Sequence, residues 1–339
     1  MESTPANKTF EPGFCDLRKV NILMLGGAKR VSMGRMLIEA GRRMGLDVCL
    51  FSYELQKMVP VAEIATVVEG KKWKDPALFE HLESTIKDYG INILLPFVDP
   101  AVEIAIRFCE EHPQVWTPGS NAEMTGKMFD KVKSDSVFRS LGAKVPLSPA
   151  RDGYVGEVIA KPRCGSASQG ILHLGYEEYK KLAETAEASE YLFQQYISPR
   201  TEYTVDCYVA RNGEVKCAVP RVRLETQGGE ASVTQTVENR EIEESAARLL
   251  NGLKMTGPIT IQYLQKKDGC GPMMVMEINP RLGGGAVCSV HAGANLPEYI
   301  LKDYLGQTPG KAVWRPGVRI CRYMQEVVFD GLTGFPLYQ

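Results

Sequence analysis

The first third of the chain alternates short apolar runs with stretches in which apolar residues recur every three or four positions. The short runs are typical of buried strands and the longer stretches of amphipathic helices. Strands are predicted at 20–25, 47–51, 66–68, 91–96 and 115–117, and helices at 32–44, 76–89 and 101–111. This alternation predicts a Rossmann-like parallel sheet covered by helices, with ligands at the carboxyl ends of its strands.

The rest of the chain follows a different pattern. A helix predicted over 121–141 leads into a small lid subdomain at about 145–198, and the remainder predicts an antiparallel central sheet with helices at 241–251 and 296–305. Residues 1–17 are polar and unpatterned, so we expect a disordered tail there. The expected organisation is this tail, an α/β domain at 18–118 and an α+β domain at 119–339.

Composition narrows the class of protein. With 44% hydrophobic and 24% charged residues and a net charge of −1, the chain is an ordinary globular protein without the basic surplus that a nucleic-acid or membrane-surface partner favours. No apolar run reaches the roughly 18 residues of a membrane span, and the N-terminus lacks the apolar core of a secretory signal. Nine cysteines without Cys-x-x-Cys pairs indicate reduced thiols, and we expect a cytoplasmic protein.

The segment 274–281 contains the strongest candidates for ligand-binding side chains. It is an apolar strand, and alternation along a strand puts Glu277, Asn279 and Arg281 on one face. The preceding run 258–264 predicts a neighbouring strand, joined to it through the glycine-containing turn at 267–272, so that Gln262 lies beside Glu277. Two oxygen-bearing side chains and a cation on one face suit a Mg²⁺-nucleotide and a developing anion.

Two further elements precede this strand. Lys161 ends a short apolar strand and is followed by a loop rich in glycine and serine, whose backbone N–H groups can fold over phosphates. The strand at 191–197 then leads to Glu202. Exposed backbone at its end can read an adenine edge, and Glu202 can accept hydrogen bonds from ribose hydroxyls.

In this order the elements resemble the ATP-grasp superfamily, and the set Gln262, Glu277, Asn279 and Arg281 is most similar to its carbamoyl-phosphate-synthase-like branch. The resemblance covers roughly residues 20–323. It implies an ATP-grasp fold, ATP and Mg²⁺ (or Mn²⁺) as cofactors, and metal ligation by Gln262, Glu277 and Asn279. It assigns Arg281 and Lys161 to catalysis. The implied nucleotide contacts are Lys131, Lys161, Ser166, Ser168, Gln194, Gln195, Tyr196, Ile197 and Glu202.

Relatives usually carry a helix between 146 and 161, whereas here 147–156 is short and rich in Pro, Gly and Ser, which indicates a trimmed lid.

The function expected from this resemblance is an ATP-dependent ligase that phosphorylates a carboxylate to an acyl phosphate and couples it to an amine, releasing ADP and phosphate. Two alternatives stay open, a carbamoyl-phosphate-type reaction on bicarbonate or carbamate, and a non-catalytic nucleotide-binding regulatory protein. The expected partners are small-molecule carboxylate and amine substrates. A homodimer is one possible assembly. A nicotinamide dehydrogenase is disfavoured because the turn at 26–30 lacks the full Gly-x-Gly-x-x-Gly spacing.

Candidate substrate contacts are less constrained. Arg221 and Arg223 share a face of one strand, and a guanidinium fork suits a carboxylate, although a solvated strand face explains the pair equally well. Arg281 and the backbone around Gly284 offer an alternative carboxylate site. Glu54 and Asp99 lie at strand ends, where they face the cleft or cap a turn.

Overall fold

The computed structural model describes residues 18–165 and 169–337. Its N-terminal strands are β1 (Arg18–Leu25), β2 (Leu46–Glu54), β3 (Thr66–Glu69) and β4 (Ile93–Pro96), and its N-terminal helices are α1 (Val31–Arg43), α2 (Leu78–Tyr89) and α3 (Asp99–Glu111). The strands form a parallel sheet in the order β3-β2-β1-β4, which confirms the predicted Rossmann-like domain. The strand predicted at 115–117 is reduced to one parallel bridge between Trp116 and Ile93.

Helices cover both faces of this sheet because successive residues of β1 point to opposite sides. Ile22 packs with Leu37 of α1 on one side, whereas Leu23 packs with Leu82 of α2 and Phe108 of α3 on the other. The first of these cores extends into the second half of the chain, where it includes Tyr208, Val219 and Ile300. The N-terminal sheet therefore shares a hydrophobic core with the domain that follows it.

The single helix predicted over 121–141 is wrong. The segment forms two helices, α4 (Ala122–Phe129) and α5 (Lys131–Ser140), separated by Asp130 in an extended conformation. The Asp130 carboxylate accepts hydrogen bonds from the N–H groups of Val132 and Lys133 at 3.1 and 3.2 Å, so it caps a new helix. The segment after it contains a one-turn helix, α6 (Pro149–Asp152).

The lid subdomain is a three-stranded antiparallel sheet with one helix. It contains β5 (Val158–Pro162), β6 (Leu172–Leu174), α7 (Tyr176–Ala183) and β7 (Tyr191–Gln195), and its strand order is β6-β5-β7. Tyr179 of α7 packs edge-on against Phe193 of β7, with ring centroids 5.2 Å apart. Two 3-10 helices, Pro60–Glu63 and Ala186–Glu190, complete the short elements.

The remaining strands are β8 (Arg200–Val209), β9 (Val215–Gln227), β10 (Glu230–Thr236), β11 (Gly257–Lys266), β12 (Met274–Asn279) and β13 (Arg319–Cys321), accompanied by helices α8 (Arg240–Leu253), α9 (Ala286–Ala292) and α10 (Leu296–Tyr304). They form a six-stranded antiparallel sheet in the order β12-β11-β8-β9-β10-β13. This sheet confirms the predicted antiparallel central sheet. None of the described helices is long and apolar enough to cross a membrane.

The two faces of the six-stranded sheet differ in chemistry. One face buries Val205, Ile261 and Ile278 against Ile242 and Leu249 of α8. Alternation along the strands places their polar neighbours on the opposite face, and that face carries the candidate site.

Candidate active site

Three oxygen-bearing side chains meet on the polar face of β11 and β12. The register of these strands places Gln262 opposite Glu277, as predicted. Glu277 Oε1 accepts a hydrogen bond from Gln262 Nε2 at 2.6 Å and another from Asn279 Nδ2 at 3.0 Å. Because both amides turn their nitrogen atoms to the carboxylate, their oxygen atoms face away from it.

This donor set fits a hard cation. A carboxylate with two amide oxygens is the ligand type that Mg²⁺ takes from proteins, and Mg²⁺ fills the rest of its coordination with water and phosphate oxygens. In the described part of the chain no group of three or more His, Cys, Asp or Glu residues could hold a metal. Gln262, Glu277 and Asn279 therefore suit a cation that arrives with a phosphate ligand better than a cation held by protein alone.

Lys161 faces this cluster from the lid. Its ammonium group donates to Gln194 Oε1 at 2.9 Å, and Gln194 Nε2 in turn donates to Asp135 Oδ1 at 2.8 Å. Burial, together with the nearby charges of Lys131 and Arg200, lowers the pKa of Lys161 to about 8 against the opposing effect of Glu277 and Asp135. Gln194 is only 2% exposed, so its side chain orients Lys161.

The start of α5 holds the segment after Lys161. Lys131 Nζ donates to the carbonyl oxygen of Gly165 at 2.7 Å, and Arg163 Nε donates to Asp130 Oδ2 at 2.8 Å. The Arg163 guanidinium and two backbone N–H groups lower the pKa of Asp130 against the effect of its burial, which raises it. The predicted phosphate contacts Ser166 and Ser168 lie outside the described residues.

The predicted adenine contacts lie where β7 joins β8. The N–H groups of Gln195 and Tyr196 are bound to the carbonyl oxygens of Leu147 and Glu157, at 2.6 and 2.9 Å. Ile197 packs in a small apolar cluster on the polar face of the sheet. Its other members are Leu264, Met274 and the partly buried Met276. This cluster forms an apolar surface against which a flat nucleotide base can pack.

Glu202 is shared by two arginines. Its Oε1 accepts from Arg200 Nε at 2.8 Å and its Oε2 from Arg223 Nη1 at 3.1 Å. Arg223 Nη1 also lies 3.4 Å from Gln262 Oε1, and Arg223 Nη2 donates to the Gly229 carbonyl at 2.7 Å. The structure thus places Arg223 between the predicted ribose and metal contacts.

Arg221 occupies a different environment from Arg223. It is 1% exposed and forms a bidentate ion pair with Asp206, at 2.6 and 3.1 Å, while its Nη1 donates to Thr234 Oγ1 at 3.0 Å. Ser289 Oγ also donates to Asp206. A guanidinium enclosed in this way has no open edge for a substrate, so the proposed carboxylate contact on β9 rests on Arg223 alone.

Arg281 connects the two domains. Its Nε donates to Asp99 Oδ1 at the start of α3, so Asp99 faces the cleft. Next to it, a Cβ atom on Gly284 would lie 2.7 Å from Arg30 Nη1 and 3.1 Å from Arg322 Nη2. No sequence pattern selects Arg322, whereas Arg30 stands in the turn after β1, at the carboxyl end of a parallel strand, where ligand-binding residues are expected.

The turn after β1 also bears on the dinucleotide alternative. Glu54 accepts hydrogen bonds from Ser52 Oγ at 2.7 Å and from the N–H groups of Gly27 and Ala28. These two N–H groups are the donors that a dinucleotide phosphate would need. Their pairing with a carboxylate disfavours a nicotinamide cofactor in this turn.

The chain is similar in sequence to one protein family and in fold to several solved structures. The family model described as "ATP-grasp in the biosynthetic pathway with Ter operon" matches residues 187–326. No curated protein sequence matches the chain.

Three solved structures illustrate the range of proteins that are similar in fold to this chain. One is the biotin carboxylase domain dimer of 2-oxoglutarate carboxylase from Hydrogenobacter thermophilus with MgADP, ADP and bicarbonate, at 14% identity and a TM-score of 0.68 over 85% of this chain and 70% of that one. Another is L-amino acid ligase from Bacillus licheniformis, at 18% identity and 0.65 over 88% and 78%. The third is N5-carboxyaminoimidazole synthetase from Staphylococcus aureus with ADP, at 16% identity and 0.66 over 89% and 82%. At these identities the shared property is the fold.

Proposed function

We propose that the chain is an ATP-grasp enzyme, namely an ATP-dependent ligase that activates a carboxylate as an acyl phosphate and joins it to an amine. One observation carries the proposal, namely that Lys161 and the Gln262–Glu277–Asn279 cluster face each other closely enough for their charges to interact. A cation and an oxygen-rich cluster on opposite sides of one cleft are the arrangement that holds a metal-bound triphosphate.

The residues divide the work by position. Lys161 of the lid and Lys131 of α5 bind phosphate oxygens, Arg281 faces the transferring group, and Gln262, Glu277 and Asn279 would hold Mg²⁺. Bound there, Mg²⁺ would neutralise charge that develops on the β- and γ-phosphates. Apolar contact with Ile197, Leu264 and Met274 positions the base, and Glu202 accepts from the ribose.

The reaction needs no covalent intermediate on the protein. A carboxylate oxygen attacks the γ-phosphorus, and the bond from that phosphorus to the bridging oxygen of ADP breaks. The amine nitrogen then attacks the acyl carbon, phosphate leaves, and the nitrogen loses its proton to phosphate or solvent. Positioning and electrostatic stabilisation supply the acceleration, as in other phosphoryl transfers.

Bicarbonate is the second candidate acid. It is favoured by one observation, that the similar 2-oxoglutarate carboxylase domain was solved with MgADP and bicarbonate. Bicarbonate and an organic acid differ in the fate of the acyl phosphate, because only the organic acid forms a stable hydroxamate with hydroxylamine.

The test combines ADP release with hydroxamate trapping. Wild-type protein is incubated with Mg-ATP, hydroxylamine and pools of organic acids, and in parallel with bicarbonate. We expect hydroxamate and ADP in equal amounts with at least one organic acid, and ADP without hydroxamate would favour bicarbonate. Absence of ADP release with every acid would support the non-catalytic alternative.

The matched variant is Glu277→Gln, which keeps the shape of the side chain and removes its charge. We expect turnover to fall about 100-fold or more, because the ligand charge is lost where the phosphates need it. Glu244→Gln, in the exposed part of α8, is the control and should leave turnover unchanged. Wild-type turnover in a folded Glu277→Gln protein would remove Glu277 from the site.

A further inference from the structure

A cavity of about 410 Å³ lies at the carboxyl ends of β1 and β2, apart from the nucleotide site. Its volume is in the range of small-molecule pockets. Its lining includes Gly26, Tyr53, Glu54 and Trp73 and, at its mouth, the exposed Leu55. Carboxyl ends of parallel strands are where ligands bind in this kind of sheet.

The charge of this cavity is positive. Its cationic residues are Lys29, Arg30, Lys71 and Lys72, and its acidic residues are Glu54 and Glu230. Glu54 is already bound by Ser52 and by the turn after β1, and Glu230 is shared between Arg30, at 3.5 Å, and Arg322, at 2.6 Å. Three exposed lysines line the cavity. Lys29 lies close enough to Glu230 for their charges to interact, so Lys71 and Lys72 are left to attract an anion.

The same cavity has an aromatic and apolar wall. Trp73 is partly exposed and supplies the aromatic surface, and the ring of Tyr53, a residue that is 1% exposed, lies 6.0 Å from it between centroids. The Tyr53 hydroxyl accepts from the Lys71 N–H at 3.0 Å, which holds the lysine-bearing segment next to the rings. Leu55 is 61% exposed at the mouth. Cations beside an aromatic wall suit a ligand with a flat apolar part and a negative group.

One end of the cavity borders the candidate reaction centre. Val98 lines it and precedes Asp99, which pairs with Arg281. Arg30 lies close enough to Arg281 for the two charges to interact. A ligand in the cavity therefore has one end next to the group that would face the acyl phosphate.

Resting on the proposed ligase function, we propose that this cavity binds the acceptor amine, and that the acceptor is an anionic molecule with a flat apolar group. Its negative group lies on Lys71 and Lys72, its flat group lies against Trp73, and its amine points to the Arg30 end. The acid that is phosphorylated binds outside the cavity, by Arg281 and Arg223.

The binding test uses a matched pair of fluorescent probes, the anion 8-anilinonaphthalene-1-sulfonate and its neutral analogue N-phenyl-1-naphthylamine. In the double variant Lys71→Glu, Lys72→Glu we expect the dissociation constant of the anion to rise about tenfold and that of the neutral probe to stay within about twofold. Lys74→Glu is the control, because Lys74 is exposed in the same segment without lining the cavity. Equal anion affinity in wild type, double variant and control would overturn the site.

A second measurement separates acceptor from acid. With saturating Mg-ATP and hydroxylamine in place of the amine, the sulfonate probe should fill the cavity of wild-type protein and leave hydroxamate formation intact. Inhibition by the probe that organic acid reverses would place the acid in the cavity and overturn the acceptor assignment. If wild type forms no hydroxamate with any acid, the ligase proposal fails, while the probe titrations still decide whether the cavity binds an amphipathic anion.

Discussion

The lowered pKa of Lys161 makes nucleotide affinity depend on pH. Burial, with Lys131 and Arg200 nearby, brings this pKa to about 8, against the opposing effect of Glu277 and Asp135. Lys161 is therefore charged below pH 8 and loses its proton as the pH rises through 8. Bound phosphates add negative charge beside the ammonium, so the nucleotide complex keeps the proton at a higher pH than the free protein.

The size of the effect follows from the fraction of free protein that carries the charge. With a pKa of about 8, Lys161 is about 90% protonated at pH 7 and about 9% protonated at pH 9. We expect the affinity for Mg²⁺ and a non-hydrolysable ATP analogue to fall about tenfold over this range, or about 1.4 kcal/mol. The phosphates of the analogue are fully ionised over most of this range and contribute little.

Calorimetric titration at both pH values measures this fall. Repeating it at pH 9 in two buffers with different ionisation enthalpies measures proton uptake on binding, which should approach one proton. The control is Lys161→Arg, because a guanidinium stays protonated throughout and should give a nearly flat profile. An affinity that stays constant from pH 7 to pH 9, or a tenfold fall in Lys161→Arg as well, would refute the assignment of this charge to the phosphates.

Three further predictions concern the framework of the site. Arg221→Leu should lower the free energy of unfolding, measured by urea denaturation, by about 3–5 kcal/mol, because it leaves Asp206 buried and unpaired. The control Arg240→Leu removes an exposed pair with Glu244 and should change this free energy by less than about 1 kcal/mol, so similar losses in both variants would contradict the prediction. Gly257 has a φ of +88°, and a Cβ atom there would lie 2.4 Å from the Pro118 carbonyl oxygen, whereas Gly269 has a φ of +74° and open space around it. Gly257→Ala should therefore lower the free energy of unfolding more than Gly269→Ala, and the reverse order would contradict the close approach of Gly257 to Pro118. Arg223→Lys should raise the KM for the acid more than the KM for ATP, because an ammonium keeps the charge beside Glu202 and Gln262 but cannot reproduce the guanidinium fork. Unchanged KM values for every acid would place the carboxylate at Arg281 and Gly284.

Local patterns were enough to predict most elements. The strands and helices of the N-terminal domain differ from their predicted bounds by only a few residues, because the periodicity of apolar positions reports burial directly. The break at Asp130 was missed because helical periodicity continues across it, and only the carboxylate cap reveals a second start. Helix α7 was missed because it is eight residues long and buries one side chain, Tyr179.

The site was predictable as far as strand alternation reaches. Alternation and the hairpin turn put Gln262 beside Glu277, and this pairing needs only two neighbouring strands. Alternation also put Arg221 and Arg223 on one face, but their different environments come from Asp206, Ser289 and Glu202, which lie elsewhere in the chain. Arg30 and Glu230 meet across 200 positions of sequence, and no local pattern reports such a contact.

The hairpin of β9 and β10 contacts both the nucleotide site and the cavity, so it can couple the binding of ligands at the two sites. Arg223 on one of its strands contacts Glu202 and Gln262 at the nucleotide site, and Glu230 at its tip contacts Arg30 at the cavity. A nucleotide that shifts this hairpin changes the free energy of binding at the cavity, and linkage requires the cavity ligand to change nucleotide affinity by the same factor. The two ligands would then bind cooperatively or antagonistically through one short, glycine-containing turn.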